Sequence, residues 1–165
     1  MEKINFIPFL SKTPTKINVS GFSMKPFLEE NDRVVVVSAT KENIDEGDIV
    51  VFRREGRDYV HRVVLIEGER FYEIGDNQGT GNWETFNQPL AKVLMVEKND
   101  GRKIDLSEER QKKLARKIAS FQKIRYKRFE LKKKIKFKPF LFLTSKYYRI
   151  REFFVKPKGI LEERN

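Results

Sequence analysis

Short apolar runs, rich in β-branched and aromatic residues and punctuated by glycine turns, dominate residues 16–99 of this chain. Val34 to Val37 is one, and Ile49 to Phe52, opened by Glu46-Gly47-Asp48, is the next. Tyr59 to Ile66 is bounded by Glu55-Gly56-Arg57 and Glu67-Gly68-Glu69, and Phe71 to Ile74 and Ala91 to Val96 follow. Runs of this length are too short for buried helices, and glycine turns between them let the chain double back. The pattern predicts an antiparallel, mainly β body. The Gly/Asn-rich stretch from Gly75 to Pro89 is long for a hairpin connection, which marks it as a candidate functional loop.

After Gly101 the period changes. Leu114, Ile118, Phe121, Ile124, Leu131 and Ile135 recur at steps near three, four and seven, which predicts an amphipathic helix over roughly 107–135. Asp105 and Glu108 stand in capping-box-like spacing, Ser107 is a second capping candidate, and Pro139 ends the helix. Charge changes at the same place. Residues 1–101 hold 13 Lys+Arg and 17 Asp+Glu, 13 − 17 = −4, and residues 102–165 hold 22 and 7, 22 − 7 = +15. The expected architecture is a β body over 1–100 and a basic, aromatic, helical extension over 101–165. Without cysteine the chain has no disulfide, zinc-thiolate or thiol chemistry, and one histidine excludes a histidine-rich metal site. Neither a metal nor an organic cofactor is expected. No apolar run reaches the ~18–20 residues of a membrane span, and the N-terminus has no cleavable signal pattern. These features point to a cytoplasmic or peripheral membrane location.

Three segments carry the candidate chemistry. The first is Ser20-Gly21-Phe22-Ser23-Met24-Lys25-Pro26. The second runs from Gly47-Asp48-Ile49-Val50-Val51-Phe52 to Tyr59-Val60-His61-Arg62-Val63-Val64. The third is Gly75-Asp76-Asn77. In this order and spacing, over about residues 17–98, they resemble the superfamily that joins type I signal peptidases to LexA-type self-cleaving repressors. The wording is similar to that of small, soluble members of it. The resemblance implies a signal-peptidase-like β body, Ser23 as nucleophile, and His61 in the position of the base. Many bacterial members place a lysine there, whereas endoplasmic-reticulum and archaeal signal peptidases place a histidine.

The residues support the same chemistry by themselves. A serine hydroxyl becomes a useful nucleophile when a neighbouring base takes its proton. Neutral imidazole can do so near neutral pH, whereas a lysine needs strong desolvation first. Alternation along 59–66 puts Tyr59, His61, Val63 and Leu65 on one face, where His61 is an odd polar member in need of a partner, and Ser23 is the candidate. Asp76 is the candidate third group to fix the imidazole tautomer, against the plainer reading of a turn carboxylate. Histidine-type signal peptidases carry another acidic residue a few positions later. Here that stretch has only Glu84, a possible replacement. Oxyanion donors are the Ser23 amide and, with less support because Phe22 is inserted, the Ser20 hydroxyl. Asp32 and Asp48 read as turn residues, and Met24 as packing beneath the serine.

The implied function is endoproteolysis of a peptide or protein precursor of leader or signal-peptide type, with substrate extended along strand edges near 19–22 and 58–61. The alternatives are a LexA-like self-cleaving regulator and a catalytically silent peptide- or nucleic-acid-binding module. For the basic extension three uses compete. Residues 102–165 could lie on an anionic membrane, with Phe140, Phe142, Phe153 and Phe154 supplying burial. They could pack on the body, or bind nucleic acid. The last ranks lowest.

Overall fold

A computed structural model describes residues 13–135. The elements are β1 (Thr15–Asn18), β2 (Arg33–Ala39), β3 (Ile49–Arg54), β4 (Arg57–Glu67), β5 (Arg70–Ile74), β6 (Asn82–Thr85), β7 (Leu90–Glu97), β8 (Lys103–Asp105) and α1 (Glu109–Ile135). The strands form one sheet in the order β1-β2-β7-β3-β4-β5-β6, with β8 paired to β7. Every pairing is antiparallel. The expected mainly β architecture with a C-terminal helix is what the chain adopts.

Each apolar run became a strand because it could bury its side chains on the two faces of this sheet. Ile17, Val34, Val36, Ile49, Val51, Val93 and Val96 pack with Met24 and Leu28 in one cluster. Val50, Phe52, Val63, Phe71 and Leu90 form a second, and Val64, Leu65, Tyr72 and Ile74 a third. Burying a side chain of this size contributes about 1.5–3 kcal/mol. Strict alternation fails at one point in β4. The register with β5 shifts between Val63 and Leu65, so Leu65 joins the cluster of Val64 rather than that of Val63. An extra residue in one strand of a pair re-aims every side chain beyond it.

Three strands were not foreseen, the first being β1, which pairs with β2. The Gly75–Pro89 stretch contains β6, whose ladder pairs Phe71 with Glu84 and Glu73 with Asn82. Beyond residue 100 the sheet continues into β8, pairing Met95 with Asp105 and Glu97 with Lys103. Asp105 does not close a capping box; it accepts the Ser107 amide at 2.8 Å in a tight turn before the helix.

The inner face of α1 packs on the sheet. Ala119 and Gln122 are buried, the Tyr126 ring lies 4.2 Å from that of Tyr72, and Trp83 Nε1 donates to Tyr126 Oη at 3.3 Å. Lys123 bridges to Glu46 at 2.8 Å. At Gly47 (φ +108°) a Cβ would meet the Ala115 backbone carbon at 2.9 Å, so glycine lets helix and turn touch. Pro139 and the aromatic tail with Phe140, Phe142, Phe153 and Phe154 lie outside the described residues.

Candidate active site

The turn after β1 brings Ser23 to the sheet. Val19 N–H donates to Asp32 O and Asn31 N–H to Val19 O, which closes the loop that carries the serine. Asp32 locks this loop. Its carboxylate accepts the amides of Glu29 and Asn99 and pairs with Lys98. Met24 is buried beneath, its Sδ 3.5 Å from the Asp76 amide. The serine is thus pinned from below while its own side chain stays half-buried.

Ser23 meets the segment after β5. Its carbonyl accepts the Asn77 amide at 2.7 Å, and Asn77 Nδ2 donates to the Phe22 carbonyl at 3.2 Å. At Gly75 a Cβ would stand 2.9 Å from Ser23 Cβ and 2.6 Å from Ser23 O. The serine therefore occupies the space a side chain at 75 would fill. The last ladder pair of β4 and β5 is Arg62 with Ile74. Gly75 follows that pair directly, so the Ser23 loop meets the chain where it leaves the β4–β5 ladder. No hydrogen bond joins Ser23 Oγ to His61, and such contacts often tighten only with substrate.

His61 is buried, with its ring against Phe52 (6.1 Å) and Tyr59 (5.7 Å). Its Nδ1 is in hydrogen-bond contact with Glu73 Oε2. Glu73 is fully buried, and its other oxygen accepts from Arg54 Nη1 at 2.9 Å and Asn82 Nδ2 at 3.3 Å. Burial pushes this carboxyl up. The hydrogen bond and charge of His61, then Arg54 and Asn82, outweigh it and hold the group below the usual carboxylate range.

Asp76 is placed elsewhere. Its carboxylate is gripped by Arg62, Nε to Oδ1 at 2.8 Å and Nη2 to Oδ2 at 2.7 Å, and Gln122 donates to Oδ1 at 3.2 Å. Arg62 follows His61 in β4 and therefore projects from the opposite face, which is why the Asp76 pair cannot also serve the imidazole. Glu84 does not reach His61 either. Arg54 Nη1 bridges it, at 3.0 Å, to Glu73. Ser20 is exposed. Asp48 accepts the Asp45 amide and pairs with Lys92, a turn role. Lys25 extends its ammonium over the Phe22 ring, 4.6 Å from the centroid.

Sequence reasoning missed Glu73, Asn82 and Arg54. The signal was present for Glu73. It is a lone acid in the strand Phe71-Tyr72-Glu73-Ile74, as odd there as His61 is in its own strand. Asn82 could not be found, because the strand that delivers it was unseen.

The signal peptidase family, peptidase S26, matches residues 7–133, well over half of the chain. The chain belongs to this family. The family implies a signal-peptidase-like serine peptidase acting on peptide or protein precursors. The match runs through β8 and into α1 as far as residue 133, so nearly all of the helix packed on the sheet lies within the family's span. No curated protein matches the chain.

Proposed function

We propose that this signal peptidase family member is an endopeptidase that cleaves precursors of leader or signal-peptide type, with Ser23 as nucleophile and His61 as base. The observation that carries the reading is the packing of Ser23 into the space left by Gly75, the residue after the last β4–β5 ladder pair, which lies next to His61 in the strand. Ser23 Oγ attacks the scissile carbonyl as its proton passes to His61 Nε2. The resulting oxyanion takes the Ser23 amide, which has no acceptor among the described residues. Collapse breaks the C–N bond, and the amine leaves with the proton from Nε2. Water then releases the acyl group by the same route. Lys25 is a poor alternative base, since its ammonium rests over Phe22. The β4–β5 ladder ends at Arg62, so residues 58–61 offer an edge on which an extended peptide could pair. Labelling with a fluorophosphonate tests the reading. The wild type should label, and Ser23→Ala and His61→Ala should not. Labelling that survives His61→Ala would remove the base assignment.

A peripheral membrane role has a specific observation in its favour. On the outer face of α1, Ile124 and Leu131 are exposed in one stripe with exposed Lys127 and Arg128. Among the described residues no helix is long and apolar enough to cross a membrane, and precursor substrates of this kind are often membrane-bound. A cationic helix face with apolar residues along it suits an anionic surface. Co-sedimentation with anionic and neutral vesicles is the test.

A further inference from the structure

We infer that Glu73 is the positioning residue of this site, holding His61 in the tautomer that a general base requires, with Arg54 and Asn82 keeping Glu73 in place. The inference rests on the peptidase reading above and adds to it the group that completes the relay.

The argument begins with burial. A carboxylate with no solvent contact persists only when its oxygens are paired. Glu73 meets that condition through three donors on three strands: His61 on β4, Arg54 on β3 and Asn82 on β6. An ionised carboxylate can only accept. The proton in the His61–Glu73 contact therefore sits on Nδ1, and the neutral ring keeps its lone pair on Nε2. That is the tautomer able to take the Ser23 proton.

The charges facing the imidazole point the same way. Phe52 and Tyr59 contact the ring, and Glu73 is the charged group against it. Behind Glu73, Arg54 bridges to Glu84 and stacks over Tyr59 at 4.3 Å. Two carboxylates and one guanidinium sum to one negative charge, which an imidazolium balances. The cluster thus favours the ion that forms as Ser23 gives up its proton, and it needs no rearrangement to do so. Asp76, held by Arg62 and Gln122, does not supply this function. Backbone packing defends the arrangement. At Gly81 a Cβ would come within 1.6 Å of the Glu73 carbonyl oxygen, so only glycine lets the chain turn back and present Asn82.

A buried Glu–His pair could instead only brace the sheet, and the test must separate the two. His61 is the sole histidine, so the imidazole ¹⁵N spectrum of untagged full-length protein reports one residue. In a Ser23→Ala background the ring should carry its proton on Nδ1, and Glu73→Gln should release that preference so that the Nε2-protonated tautomer grows. In the Ser23-containing protein, Glu73→Gln should slow fluorophosphonate labelling by about 10²-fold or more, and Glu73→Asp should restore part of it. Should Glu73→Gln not fold, as judged by thermal melting, Arg54→Gln serves instead. It should slow labelling about tenfold and shift the pH–rate profile. If the wild type labels at Ser23 but these substitutions leave rate, pH profile and tautomer unchanged, the role of Glu73 is overturned while the peptidase reading stands. If the wild type shows no Ser23-dependent labelling, the peptidase reading falls and the role of Glu73 falls with it.

Discussion

Gly75 does its work by having no side chain. A methyl group there would need to share space with Ser23 Cβ and O, so Gly75→Ala should displace Ser23 by a few tenths of an ångström or more. Misplacement approaching 1 Å costs about 10²-fold in rate. The expected outcome is a loss of that order in labelling together with a lowered melting temperature, because the clash is with backbone, and a wild-type rate would show that Ser23 does not depend on this contact. Ser23→Ala and His61→Ala should each remove turnover, and the double variant should be no worse than either, because the two act as one unit. Acid stability offers a separate check on Glu73. Its carboxyl is held below the usual 4.5 in the folded chain, so its contribution is fully present above that value and is lost as pH falls through the lowered folded value. Glu73→Gln should therefore flatten the fall in stability below about pH 4.5, measured by urea unfolding at several pH values. An unchanged slope would mean that Glu73 gains nothing from its partners on folding.

At the scale of elements, β6 and α1 decide what surrounds His61 and Asp76. β6 returns Asn82 and Glu84 to the Glu73–Arg54 cluster, and its Trp83 meets Tyr126 of the helix. On its other face the sheet gives α1 the Arg62–Asp76 pair to close over, through Gln122. The helix is therefore part of the body's stability and not only a carrier of charge. Gly47→Ala would force a Cβ against the Ala115 backbone at a φ that L residues seldom adopt. A destabilisation of about 2 kcal/mol is expected in equilibrium unfolding, from strain and overpacking together. If Gly47→Ala is neutral, the helix does not pack as described. Truncation at residue 100 would remove β8 and α1 together, so it cannot isolate the role of the basic extension.

For the whole molecule the governing feature is the division of charge, −4 over residues 1–101 and +15 over 102–165. Charge of that density in one part of the sequence would attract the chain to an anionic surface. Each cation near such a surface contributes about 1 kcal/mol. Lys127→Gln with Arg128→Gln should therefore weaken binding to anionic vesicles about 10- to 30-fold at low salt, leaving fluorophosphonate labelling in solution unchanged. Added salt should release the wild type by screening. Failure of the full chain to bind anionic vesicles at low salt would end the membrane reading.

The sequence by itself determined five of the eight strands and the helix, and it singled out Ser23 and His61 as candidates. These follow from local information: apolar runs of strand length, a period near 3.6, and residue types whose chemistry is useful only in combination. The motif order that resembles signal peptidases suggested the pairing, and the family match agrees with the resemblance. Only the tertiary structure decided what stands beside His61. Asp76 follows Gly75 in a turn and looked available, yet alternation turns Arg62 and Asp76 to one face and His61 and Glu73 to the other. Whether a carboxylate meets a given imidazole depends on register, on which strand lies alongside, and on a hidden strand such as β6. Those are long-range pairings, and no local pattern of residues encodes them.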